Sequence, residues 1–142
     1  MKSYMLDTNI FVFYVDERDR LSDDVTAILD DFDSQLCISA ESVRELIVAF
    51  RTKRLLANLW HSPRALVDAI ERDYKIRVIP VDLNVNRTMS DLVLNEAEKH
   101  NDPSDHIIIS HALTLGIPLI SSDHKFRFYR SQGLDLIENR MR

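Results

Sequence analysis

Five acidic residues stand where a side chain can do chemistry. Asp7 follows the apolar run YML, Asp123 follows LISS, Asp102 and Asp105 precede IIISHAL, and Glu45 interrupts an apolar stretch of Val43, Leu46, Ile47 and Val48. Brought together, these carboxylates repel and push one another's pKa upward, so a cation has to neutralise them. All-oxygen donors select a hard divalent ion, Mg2+ or Mn2+, rather than zinc. Such an ion keeps positions open for phosphate oxygens and water, which points to metal-assisted hydrolysis of a phosphodiester. Each acid also has an ordinary use: Asp7, Asp102 or Asp105 as helix caps, Asp123 in a turn, Glu45 as a solvated helix position. Capping, however, does not require all of them at one end of a domain. Thr8, Asn9, Ser39, Ser121 and Ser122 stand beside the acids and are suited to orienting ligands or waters.

The elements that position these acids alternate in type. Ser3–Leu6 reads as a buried strand, Asn9–Val15 as a short buried helix, and Ser22–Phe32 as a helix with Val25, Ile28, Leu29 and Phe32 at helical spacing. Leu36–Ser39 is a second strand, and Ala40–Arg51 a helix with Val43, Leu46, Ile47 and Phe50 on one stripe. Pro63 suits the first turn of a helix running to about Tyr74. Ile76–Val81 is a third strand, and Pro80 puts its end at an edge or already in a loop. Asn84–His100 is expected as one long helix, and Asp102 opens another through Leu115, stopped by Gly116 and Pro118. Pro118–Ser122 and Leu134–Glu138 complete four to five strands. Strands separated by helices imply crossover connections, hence an α/β three-layer α/β/α sandwich with a mostly parallel sheet. In such sheets ligands collect beyond the carboxyl ends of the strands, where Asp7, Glu45 and Asp123 are expected.

LDTNI at 6–10, SAESVREL at 39–46, DPSDHIIISHA at 102–112 and LISSD at 119–123 together resemble the PIN domain family, and within it the VapC-type toxins of bacterial toxin–antitoxin systems. The resemblance spans essentially the whole chain, with the four motifs in order. It implies a three-layer fold and a Mg2+- or Mn2+-dependent endoribonuclease, usually a homodimer, acting on RNA and inhibited by a cognate antitoxin. By motif, Asp7, Glu45, Asp105 and Asp123 match the family's four acids in turn, and Asp102 matches the extra acid of a DPxDR variant. His106 stands where that variant often has Arg, and Ser121-Ser122 replaces a Thr-containing pair. Neither departure removes a carboxylate. With external water as nucleophile, products with a 3′-hydroxyl and a 5′-phosphate are expected.

Composition narrows the alternatives. The 142 residues, 45% hydrophobic and 29% charged, are expected to form one domain over residues 1–142. One Cys and 2 Gly exclude a disulfide framework, a P-loop and a dinucleotide fingerprint. No apolar run reaches the ~18–20 residues of a membrane span, and MKSYMLDTNI lacks a signal-peptide core, so the cytoplasm is the expected location. The net charge of −5 is unevenly spread: Asp16–Asp33 holds eight acids against Arg18 and Arg20, leaving 15 acids and 16 bases elsewhere. A polyanionic substrate is therefore compatible with the overall sign.

Basic residues at Arg44, Arg51, Lys53 and Arg54, and at Lys125, Arg127 and Arg130 among three aromatics, are candidate phosphate contacts or solvated charge. Leu55, Leu56, Leu59 and Trp60 form either core or a groove for an antitoxin helix. The five histidines lack zinc-motif spacing and are set aside as ligands. Competing functions are an RNA-processing ribonuclease outside any toxin pair, a non-catalytic binding domain, and a phosphoacceptor signalling module using Asp82 and Lys125.

Overall fold

In the computed structural model, which describes residues 1–140, five short strands form one all-parallel sheet of order β3-β2-β1-β4-β5. The last two residues of the domain expected over 1–142 lie outside that range. The chain runs β1 (Lys2–Leu6), α1 (Thr8–Asp16), a 3-10 turn (Arg18–Arg20), α2 (Asp23–Asp30), β2 (Ser34–Ser39), α3 (Ala40–Lys53), α4 (Pro63–Arg72) and β3 (Arg77–Ile79). It continues through α5 (Leu83–Asp91), α6 (Pro103–Leu115), β4 (Leu119–Ser121), a 3-10 segment (His124–Gln132) and β5 (Leu136–Glu138). β1 is central: Leu6 pairs in register with Ile38 of β2 on one side and Ile120 of β4 on the other. Strand order reverses between β1 and β4, so a crevice opens beyond their carboxyl ends.

Strand side chains alternate between two cores. Leu6, Ile38 and Ile120 pack into a cluster with Ile10, Phe11, Leu46, Phe50 and Ile70 of the α1, α3 and α4 layer. Their immediate neighbours Met5, Cys37 and Leu119 face the opposite cluster with Ile108, Ile109, Phe126 and Tyr129. The period of two in a strand enforces this division, and it explains why the strands read as continuous apolar runs. Each fully buried Leu, Ile or Phe contributes roughly 1.5–3 kcal/mol. Cys37 is part of this packing, and burial pushes its thiol up to about 11.

Local signals set most helix boundaries. Ser62 accepts from the Ala65 N–H with Pro63 following it, and Asp82 accepts from the Val85 N–H. At the far end of α6, Gly116 takes the left-handed conformation (φ 66°) and its N–H closes onto Ala112 and Leu113. β3 is an edge strand shorter than the expected Ile76–Val81: it runs Arg77–Ile79, and Pro80 already lies in the loop beyond it.

Two expectations are corrected. Phe32 does not continue the stripe of α2: that helix ends at Asp30, and Asp31 accepts from the Asp33 N–H in a tight turn. Phe32 is left 99% exposed. The helix expected over Asn84–His100 stops at Asp91. Beyond it, tertiary partners capture the backbone: Gln132 bonds both the N–H and the carbonyl of Val93, and the Asn95 N–H donates to Tyr129 Oη. Lys99 adopts a left-handed φ of 53°. Val93 and Ala97 consequently face solvent, while Asn95 and His100 are buried. Of the Leu55–Trp60 stretch, Leu56 belongs to the core, Trp60 packs edge-on against Tyr74, and Leu59 is exposed.

Candidate metal centre

The crevice beyond β1 and β4 is a cleft of about 500 Å³ lined by Asp7, Glu45, Asp102, Asp105 and Asp123, together with Thr8, Asn9 and Lys53. All five acids singled out in the sequence are thus neighbours, delivered by separate elements. Asp7 leaves the end of β1, its N–H donating to the Ile120 carbonyl at 2.9 Å, and caps α1 by accepting from the Thr8 N–H at 2.8 Å. Ser121, at the end of β4, donates to the other Asp7 oxygen at 2.7 Å. The same hydroxyl accepts from the Asp123 N–H, and Asp123 in turn accepts from the Lys125 N–H. One serine therefore ties the acid at the end of β1 to the turn after β4 that carries Asp123.

Glu45 comes from α3. Ser39, ending β2, starts that helix by accepting from the Glu41 N–H. Thr8 Oγ1 donates to Glu45 Oε1 at 2.6 Å and lies 2.9 Å from Ser42 Oγ. Asp102 caps α6, accepting from the Ser104 N–H, and Asp105 lies in its first turn. The ordinary uses weighed above are real for Asp7, Asp102 and Asp123, and they do not compete with a place in the cleft. A cap uses one lone pair of one carboxylate oxygen and fixes the group, leaving other lone pairs for a ligand.

Burial and mutual charge perturb the cleft. Asp7 is pushed up to about 7, first by burial and then by the Asp105 charge, with bonds from Ser121 and Thr8 opposing. Asp105 is also pushed up to about 7, by burial and then by Asp102, Glu45 and Asp123, with Lys125 opposing. Both shifts come first from burial and then from neighbouring acids, so the cleft gathers carboxylates that are costly to ionise together. The donors are oxygens of carboxylates already oriented by protein hydrogen bonds, which fits a hard divalent cation.

One participant was not found in the sequence. His100, set aside with the other histidines, is buried with Nε2 2.9 Å from Asp105 Oδ2. Donor atoms of His100, Asp105 and Asp123 all lie within 4.8 Å of one another. Burial lowers its pKa against the pull of Asp123, Asp102 and Asp7. Its position five residues before Asp105 was the available signal, hidden by the expectation of a continuous helix. Among the hydroxyls, Thr8 and Ser121 contact acids, Ser39 bonds His111, and Ser122 turns away to accept from Asn139. Phe126 and Tyr129 are core, and Arg127 and Arg130 pair with Glu138. Lys53 lines the cleft, the Lys125 charge acts on Asp105, and Arg44, paired with Glu41, also lies within the field of Glu45 and Asp102. Asp82 caps α5 beyond an edge strand, away from the crevice, which removes the geometry a phosphoacceptor module requires.

The fold and cleft define an α/β protein of doubly wound type with a carboxylate-lined crevice at its switch point. The profile of the PIN domain family matches residues 4–131, and the chain belongs to that family. No curated protein matches it in sequence. In structure it is similar to VapBC2 from Rickettsia felis, solved bound to a promoter DNA fragment, at 20% identity and TM-score 0.71, covering 96% of this chain and 98% of that one. VapBC-1 from nontypeable Haemophilus influenzae is 23% identical with TM-score 0.65, over 96% and 97% of the two chains. VapBC-5 from Mycobacterium tuberculosis, a member of a family of toxin–antitoxin systems, is 19% identical with TM-score 0.64, over 99% of both chains. These likenesses establish a shared fold. No helix among the described residues is long and apolar enough to cross a membrane.

Proposed function

We propose that this protein is a Mg2+- or Mn2+-dependent endoribonuclease, the toxin of a toxin–antitoxin pair. The observation that carries the reading is the convergence of five carboxylates from β1, α3, α6 and the turn after β4 on one cleft, two of them held near pKa 7. Such a cluster is electrostatically incomplete without a cation. Asp7, Glu45, Asp105 and Asp123 are the residues assigned to hold the ion and to carry catalysis, with Asp102 a fifth metal-site acid. When bound, a hard divalent ion neutralises phosphate charge and lowers the pKa of water.

The remaining tasks fall to the chain itself. Ser121 and the Thr8 N–H fix Asp7, and Thr8 Oγ1 fixes Glu45, so neither carboxylate has to reorganise on binding. Lys53 on the rim and Lys125 beside Asp105 supply positive charge for an RNA backbone. The acidic Asp16–Asp33 segment disfavours RNA on its own side of the molecule. A cognate antitoxin as partner, a homodimer and a cytoplasmic setting follow from the family resemblance, and the VapBC neighbours support the antitoxin. The whole chain acts as one nuclease domain in this reading.

Purified protein incubated with total RNA should cut it in the presence of Mg2+ and not after chelation, leaving 5′-phosphate ends. Asp7→Asn and Asp105→Asn should abolish cleavage while circular dichroism stays unchanged. Equal cleavage by the folded variants would overturn the assignment. Growth arrest on expression, relieved by an adjacent small gene, separates a toxin from an RNA-processing enzyme.

A further inference from the structure

A chain of buried polar groups runs from the backbone to Asp105. The Asn95 N–H donates to Tyr129 Oη at 3.1 Å, Tyr129 Oη lies 3.0 Å from His100 Nδ1, and His100 Nε2 lies 2.9 Å from Asp105 Oδ2. Asn95, Tyr129 and His100 are each at most 2% exposed. Because Asn95 already fills one lone pair of the phenol, the Tyr129 proton is directed to the imidazole Nδ1. A proton on Nδ1 would strand the Tyr129 O–H without an acceptor in a buried position, which is costly. The arrangement therefore places the imidazole proton on Nε2, aimed at the carboxylate.

Resting on the metal-site reading above, we infer that His100 is a positioning residue for Asp105. It donates from Nε2 to Oδ2 and leaves Oδ1 directed to the cleft, with Tyr129 dictating its tautomer. Its ring is clamped by His106, Phe126 and Tyr129 at centroid distances of 5.1, 5.5 and 5.6 Å. The His100 carbonyl accepts from His106 Nε2 at 2.8 Å, so the loop is tied to α6 one residue beyond Asp105. Asn95 closes the same loop: its carbonyl accepts from the His100 N–H, and its amide donates to the Lys125 carbonyl. The break after Asp91 is thus what brings an imidazole to the acid.

Two measurements test this. In metal-free protein, 15N-resolved imidazole spectra should show His100 as the Nε2–H tautomer, and Tyr129→Phe should release it toward Nδ1–H. Mn2+ titration followed by electron paramagnetic resonance should show binding weakened about 10–100-fold in His100→Leu, the range for loss of a ligand-orienting partner. His100→Gln, whose amide N–H reaches the same oxygen, should recover most of the affinity. An Nδ1–H tautomer in the unsubstituted protein overturns the inference, as does loss of the Nε2 proton on metal loading, which would make His100 a ligand. Mn2+ affinity unchanged in folded His100→Leu, or as weak in folded His100→Gln, also overturns it. Absence of any Mn2+ binding by the unsubstituted protein sinks the metal reading instead, and the tautomer of the metal-free protein still decides the role of His100.

Discussion

Two acidic regions of this molecule contrast. The segment Asp16–Asp33 holds eight carboxylates, more than the cleft, yet it is dispersed over a solvated face. There Arg18 reaches Asp30 at 2.6 Å with both side chains about half exposed, and Arg20 reaches Glu17 at 3.3 Å. The cleft concentrates five acids on a partly dry surface, where Asp7 and Asp105 are raised to about 7. Solvent exposure and two arginines satisfy the first set, whereas burial sets the Asp7 and Asp105 carboxyls of the second apart. Charge count does not raise a carboxyl's pKa; desolvation of converging charges does.

The contrast is broken most severely at Asp7. Asp7→Asn keeps an acceptor for the Thr8 N–H and a partner for Ser121, so the fold should persist while cleavage falls by at least about 100-fold, beyond the loss typical of an outer-shell partner. The same change removes a buried charge. Metal-free stability at pH 8 should rise by on the order of 1 kcal/mol in urea melts. Asp19→Asn or Asp31→Asn should leave cleavage unaltered.

Acidity provides the next largest effect. In the unfolded chain the Asp7 and Asp105 carboxyls release protons near 3.8, and in the fold near 7. Between those values the folded state holds more protons, so stability of the metal-free protein falls as pH rises through the window and levels off above it. The loss should be on the order of a few kcal/mol for the pair. Mg2+ should raise the melting temperature at pH 8 far more than at pH 5, where protons compete for the same oxygens. A flat metal-free profile from pH 4 to 8 would remove the electrostatic distinction between the two regions.

Smaller effects sharpen it. Asp102→Ala should cost about 1 kcal/mol through loss of the α6 cap, and Asp102→Ser should restore that stability without restoring the carboxylate. Any cleavage defect that persists in Asp102→Ser then belongs to the charge and not the cap. At the exposed face, Arg18→Ala should cost less than about 1 kcal/mol and leave the pH profile of RNA cleavage unchanged.

Much of this was legible along the chain. The capping signals at Asp7 and Asp102, Pro63 in the first turn of α4, the stop at Gly116 and Pro80 at the end of β3 each act within a few residues. Continuous apolar runs announced strands buried on both faces, and four acids of the cleft stood out by their places at element ends, with Glu45 marked by the apolar stretch it interrupts. The failures lie where distant groups override local pattern. Val85, Met89, Leu92, Val93 and Ala97 have helical spacing, but Gln132 and Tyr129 supply the backbone bonds that end the helix at Asp91. Phe32 has the spacing of a core residue and none of the burial.

By itself, then, the sequence determined the alternation of elements, the two-faced sheet and the acids at strand and helix ends, because periodicity and capping are short-range consequences of backbone geometry. Only the tertiary structure decided which acids lose their water, how Ser121 and Thr8 orient them, and that His100 stands behind Asp105. Those outcomes depend on burial and hydrogen bonds between residues as far apart as Asp7 and Ser121, which no local pattern encodes.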